Sequence, residues 1–152
     1  MPWKELLDEA QKGVANGLAT LDANAKVPES QITDIPGIMY VYRTTFQFTD
    51  LEKGVAKLVK TLEANSIVWS ININVKVAFN DSGVDLLDVG KTNNSNYFKS
   101  NLDISSTGMK NINDAEYPYL LPAQEDITIT YNCENSDADE GVLEIFMLYS
   151  LA

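Results

Sequence analysis

Ile67-Val68-Trp69-Ser70-Ile71-Asn72-Ile73-Asn74-Val75-Lys76-Val77-Ala78-Phe79 sets the architecture of this chain. Ile67, Trp69, Ile71, Ile73, Val75, Val77 and Phe79 recur at every second position, with Ser70, Asn72, Asn74 and Lys76 between them. A period of two sends successive side chains to opposite faces of an extended chain, so the run reads as a strand with one buried face. A helix would need apolar residues three and four apart, which this run does not supply. Trp69, in phase with the isoleucines, is expected in the core.

The same alternation extends outward from this strand. Ile38, Tyr40, Tyr42, Phe46 and Phe48 share one face on the amino-terminal side. Ile127, Ile129 and Tyr131, and then Leu143, Ile145, Met147 and Tyr149, repeat the pattern near the carboxy terminus, separated by a polar loop from Asn132 to Gly141. Shorter strands are expected from Val84 to Val89 and from Tyr117 to Leu121, the second at a sheet edge because Pro118 and Pro122 lack backbone donors. Residues 51–64 fit two patterns. Leu51, Val55, Leu58 and Leu62 keep helical spacing, and Thr49 to Glu52 has the layout of a capping box. Gly54, the β-branched Val55, Val59 and Thr61, and a turn at Glu63-Ala64-Asn65-Ser66 favour a strand, which is the reading adopted. Many short strands without alternating helices predict a mainly β domain over residues 38–152, an antiparallel β-sandwich of jelly-roll type.

Residues 1–37 read differently. Pro2 suits a first helical turn and Gly13 a helix stop. Trp3, Leu6, Leu7, Ala10 and Val14 form one apolar stripe, with Glu5, Asp8, Glu9 and Lys12 on the polar side. So short a helix is marginal alone, so its stripe needs cover from its own domain, a second copy or a neighbouring protein. Gly13, Asn16, Gly17, Asp22, Asn24, Pro28, Pro36 and Gly37 then mark residues 13–37 as an extended connector.

Composition narrows the function. A chain of 152 residues with 45% hydrophobic content supports one globular domain without disulfides, and Cys133 has no second cysteine to pair with. Net charge is −11 and Arg43 is the only arginine, so the chain lacks the basic face that nucleic acid or an anionic membrane surface requires. No apolar run is long enough to span a bilayer, and the amino terminus has no signal-peptide layout. There is no histidine, which removes the commonest general base and zinc ligand. A pair of carboxylates remains possible for glycan hydrolysis, yet nothing selects a pair among the acidic residues, so the chain reads as a non-enzyme without cofactor. The acidic stretch Glu134, Asp137, Asp139, Glu140 fails the helix-loop-helix calcium template, which needs glycine where Glu140 stands and glutamate where Phe146 stands. It reads as a solvated hairpin loop.

The connector carries a recognisable motif. Gly13-Val14-Ala15-Asn16-Gly17-Leu18-Ala19-Thr20-Leu21-Asp22-Ala23-Asn24-Ala25-Lys26-Val27-Pro28-Glu29-Ser30-Gln31-Ile32 resembles the G-x-A-N-G-L-A-x-L-D-A-N-G-K-V-P-x-x-Q-L connector of bacteriophage tail fibre, baseplate and receptor-binding proteins. Ala25 replaces the usual glycine, so a turn there lacks free access to positive φ. The order of helix, connector and sandwich is also similar to the amino-terminal shoulder domain of receptor-binding proteins from lactococcal siphophages, without the saccharide-binding head. The resemblance implies a structural virion protein of the tail tip or baseplate of a phage of a Gram-positive host, made in the bacterial cytoplasm. It also implies a homo-oligomer, preferentially a trimer, that contacts other tail-tip proteins. The attachment and oligomer surface would then comprise Trp3, Leu6, Leu7, Ala10, Val14, Leu18, Leu21, Val27 and Pro28.

A second function class stays open. Tyr97, Tyr117 and Tyr119 lie in polar stretches, so they are candidates for stacking on a host cell-wall saccharide or for closing the end of the sandwich. Asn93, Asn94, Ser95 and Asn96 form a polar tract beside them. Cys133 has no basic neighbour in sequence and reads as structural.

Overall fold

The computed structural model describes residues 38–112, 114–135 and 138–151. The expected amino-terminal helix, the connector and the attachment residues Trp3, Leu6, Leu7, Ala10, Val14, Leu18, Leu21, Val27 and Pro28 lie outside the described residues.

Nine strands form two antiparallel sheets among the described residues: β1 (Met39–Gln47), β2 (Ala56–Leu62), β3 (Ile67–Val77), β4 (Asp85–Lys91), β5 (Asn94–Asp103), β6 (Gly108–Asn111), β7 (Tyr119–Leu120), β8 (Glu125–Cys133) and β9 (Val142–Ser150). The first sheet runs β1-β9-β3-β6, with β7 also paired to β3, and the second runs β2-β8-β4-β5. Successive strands β1 to β5 therefore change sheet at all but one step, and β8 and β9 return to the centres of the two sheets. This interleaving of two four-stranded paths, with β7 added to the first sheet, is the jelly-roll arrangement. Residues 51–64 carry strand β2, and β7 is an edge element that pairs with β3 alone, as the sequence pattern predicts.

The inner faces meet in a dry core. Val68, Ile71, Ile73, Val75, Leu143, Ile145 and Met147 from the first sheet pack against Leu87, Val89, Phe98, Ile127 and Ile129 from the second, each at most 1% exposed. Burial on this scale is the main stabilising term, at about 25 cal/mol per Å² of apolar surface removed from water.

The phase of β3 departs from simple alternation. Val68 pairs with Tyr149 and Ser70 with the adjacent Leu148, so Trp69 is an extra residue, a β-bulge. Val68 thereby takes the inward position, and Trp69 is 39% exposed, its indole Nε1 donating to Ser150 Oγ at 3.0 Å. The expected core position of Trp69 is thus corrected: three consecutive apolar residues, Ile67, Val68 and Trp69, permit either phase, and the bulge selects Val68. A second bulge, between Val75 and Val77, leaves Val77 at 38% exposure while Phe79 stays buried.

Strands β5 and β6 were not legible from alternation. The polar tract Asn93 to Asn96 turns β4 into β5 through Thr92 and Asn93, and Lys91 pairs with Asn94. Asn93 adopts φ 63°, a left-handed conformation that asparagine tolerates. Gly90, next to this turn, is held tightly. A Cβ there would lie 2.2 Å from the Asn94 carbonyl oxygen and from the Ser95 carbonyl carbon, both backbone atoms. Gly90→Ala is therefore expected to lower stability by about 2 kcal/mol, read as a fall in the urea unfolding midpoint, with unchanged strand content below the transition.

Candidate functional site

Three groupings of side chains stand out. The first closes one long side of the sandwich, between edge strands β5 and β7. Tyr97 and Tyr119 approach with ring centroids 4.9 Å apart, and both contact Phe98 edge-on at 5.0 and 5.6 Å. Tyr117 stacks on the same Phe98 ring at 6.0 Å. Lys91 Nζ sits over the Tyr97 and Tyr119 rings at 4.6 and 4.8 Å, donates to the Tyr119 hydroxyl and donates to Glu125 Oε1 at 3.0 Å. Burial opposes charge on Lys91, and its bonds to Tyr119 and Glu125 outweigh it, so its pKa is raised. Burial pushes the Tyr117 hydroxyl far up, with the Ile71 backbone opposing, and it also raises Tyr97.

The structure thus brings Tyr97, Tyr117 and Tyr119 together, and all three are half-buried around a fully buried Phe98. The Tyr97 and Tyr119 rings pack on each other and on the ammonium of Lys91, and Tyr117 packs on Phe98. Tyr119→Ala is expected to destabilise the domain by about 2 kcal/mol, seen as a lower melting temperature, because a half-buried ring and a cation–π contact are lost together.

The second grouping is a polar network beneath the loops at one end. Asp85 is fully buried on the inner face of β4. It accepts from the Tyr131 hydroxyl, and from the Asp81 amide at 3.0 Å, while its own amide donates to Ser105 Oγ at 3.2 Å. Asp81 in turn accepts from the Asn135 amide at 2.9 Å, and Asn80 exchanges bonds with Asp139 at 2.7 and 3.0 Å. These bonds tie the β3–β4 loop to the β8–β9 loop, whose polar character was expected. Burial and the bond to Asp85 hold the Tyr131 hydroxyl protonated. Nearby, a half-open depression of about 140 Å³ is lined by Phe48, Leu51, Lys53, Tyr131, Cys133 and Ala138. No group of three or more potential metal ligands occurs among the described residues.

The third grouping covers the outer face of the first sheet. Glu144 lies on that face of β9, between Thr45 of β1 and Asn74 of β3, yet it is only 3% exposed. Arg43 binds it through two guanidinium nitrogens and also spans the Phe146 ring at 5.5 Å, and Lys76 Nζ lies 3.4 Å from Oε2. Burial acts to raise the Glu144 pKa, but the bonds from Arg43 and Lys76 prevail and lower it. Around this group Val41 is 71% exposed, Met109 58%, Leu120 56% and Met39 52%. The outer face of the second sheet instead presents Asp88, Asp126, Thr61, Thr128 and Asn132.

Neither of the two most deeply buried carboxylates, Asp85 and Glu144, was singled out from the sequence. Asp85 shares the parity of Leu87 and Val89, a signal that alternation contains, whereas Glu144 sits at an outward position and its burial follows from Arg43 and Lys76 arriving on other strands. A group with a lowered folded pKa stabilises above its unfolded value, near 4.5, and that contribution is lost as pH falls through the folded value. Urea midpoints measured from pH 6 down to about pH 3 are therefore expected to drop more steeply below pH 4.5 in the wild type than in Glu144→Gln.

The architecture is that of a single jelly roll, a class used for viral shells and for lectins among others. No family model and no curated protein matches the chain. Among solved structures, the fold is similar to a chain in the acidic stable capsid structure of Helicobacter pylori bacteriophage KHP30, with a TM-score of 0.60 at 16% identity, over 77% of this chain and 90% of that one. It is also similar to a chain of the cyanophage Pam1 capsid asymmetric unit, with a TM-score of 0.51 at 14% identity, over 92% of this chain and 99% of that one. At these identities the likeness is one of fold. It covers nine-tenths or more of each of those two chains, so each is comparable in length to this protein.

Proposed function

We propose that this protein is a structural component of a bacteriophage particle, a jelly-roll subunit that packs with copies of itself and with other virion proteins. The observation that carries this reading is the fold match to two chains of phage capsids, over 77% and 92% of this chain. A net charge of −11, the lack of histidine and side chains engaged in internal packing agree with a packing role. Within the particle, the sandwich favours the head shell, since both neighbours belong to capsids. The connector from Gly13 to Ile32 supports the second reading, a place at the tail tip or baseplate with residues 1–37 as the attachment segment and a trimer built through them.

Immunogold labelling of purified particles separates the two. Gold over the head supports the shell position, and gold at the tail tip supports the connector-based reading. Absence of gold from intact and disrupted particles overturns both. A saccharide-binding role for Tyr97, Tyr117 and Tyr119 draws support from their convergence at one edge. It requires that fluorescent protein label host cells and that Tyr97→Ala remove the label at an unchanged melting temperature.

A further inference from the structure

We infer that the outer face of the β1-β9-β3-β6 sheet is a binding platform for a saccharide chain that carries acidic groups. The inference goes beyond the virion role and does not depend on it. Along β3 the side chains that alternate away from the core are polar: Ser70, Asn72 and Asn74, each half-buried, and then the exposed Lys76. Asn111 of β6 lies beside Asn72 in register. The side-chain amides of Asn72, Asn74 and Asn111 make no hydrogen bond among the described residues. Each amide has two donors and an acceptor, so neighbouring strands hold unused hydrogen-bonding groups at fixed spacing. Arg43 adds to them. Its Nε and Nη2 both engage Glu144 Oε1, which fixes the guanidinium plane, and its Nη1 has no partner among the described residues. Trp69 supplies apolar surface: its indole, 39% exposed and anchored through Nε1 to Ser150 Oγ, can take the C–H face of a sugar ring.

Charge, polarity and length select the ligand class. Arg43 and Lys76 oppose Glu144 alone, so this face is net positive in a chain of net charge −11, and it draws an acidic ligand. The opposite outer face presents Asp88 and Asp126 and would repel one. A protein partner is disfavoured because the core of a protein interface is apolar and continuous, whereas Val41, Met109 and Leu148 are interrupted here by Thr45, Asn72 and Asn74. A glycan alternates hydroxyls with C–H surface and matches that mixture. The guanidinium of Arg43, held in plane, suits a carboxylate or phosphate on the chain. From Trp69 to Lys76 the strand runs about 20 Å, which accommodates several linked sugar rings along β3.

The test is binding of the full chain to a printed panel of acidic and neutral bacterial polysaccharides. The wild type is expected to bind acidic members and to lose that binding at about 0.5 M salt, where charges are screened over a few ångströms. Asn72→Ala and Asn74→Ala are each expected to weaken it about tenfold, the worth of one or two hydrogen bonds, at an unchanged melting temperature, because neither amide is bonded within the domain. Asn111→Ala, exposed on β6, gives the same readout should either of those variants fail to fold. Thr128→Ala on the opposite outer face and Tyr97→Ala at the tyrosine edge are expected to leave binding unchanged. A blank panel overturns the inference. So does equal, salt-indifferent binding to neutral members, and so does binding that Tyr97→Ala removes while the asparagine variants keep it. Absence of the protein from particles, with acidic glycans still bound through the asparagines, overturns only the virion role.

Discussion

The pairing of β3 with β9 at the centre of the first sheet is the contact on which the rest of the domain depends. Ile71, Ile73 and Val75 from one strand and Leu143, Ile145 and Met147 from the other supply most of that sheet's inner surface, and each is essentially removed from water. Their mutual phase is set by the extra residue at Trp69. Without that bulge, Val68 would leave the core and Trp69 would enter it, and a one-residue slip of this kind moves every side chain beyond it to the other face. The indole instead turns outward and donates to Ser150, so its polar atom stays bonded at the surface while its ring joins the apolar outer face.

Buried polar groups then fix the two open regions of the sandwich. At one end, Asp85 with Tyr131 and Asp81 with Asn135 join loops that are far apart in sequence, so an otherwise irregular end acquires hydrogen-bonded order. Along one side, Lys91 lies between Tyr97 and Tyr119 and is paired with Glu125, which satisfies a charge that would otherwise oppose burial. Tyr97, Tyr117 and Tyr119, which the sequence offers as candidates for stacking on a saccharide, all take part in the internal packing around Phe98. The two outer faces differ in their charged groups: one presents Asp88 and Asp126, the other Glu144 held by Arg43 and Lys76.

Alternation along Ile67 to Phe79, Ile38 to Phe48, Ile127 to Tyr131 and Leu143 to Tyr149 was enough to read a two-layer antiparallel β domain, because burial of one face leaves a period of two in the residue types. The absence of histidine, the acidic charge and the lone Cys133 were likewise complete statements about available chemistry. Pairing was beyond that pattern: alternation assigns faces and not neighbours, so the order β1-β9-β3-β6 and β2-β8-β4-β5 came only from the fold. So did strand β5, whose polar Asn94-Ser95-Asn96 start hides a core Phe98, and the bulge that expels Trp69. The convergence of Tyr97, Tyr117 and Tyr119 and the burial of Glu144 by Arg43 and Lys76 were decided by tertiary structure as well, because each joins residues from strands distant in sequence whose side chains meet only after the two sheets have paired and closed.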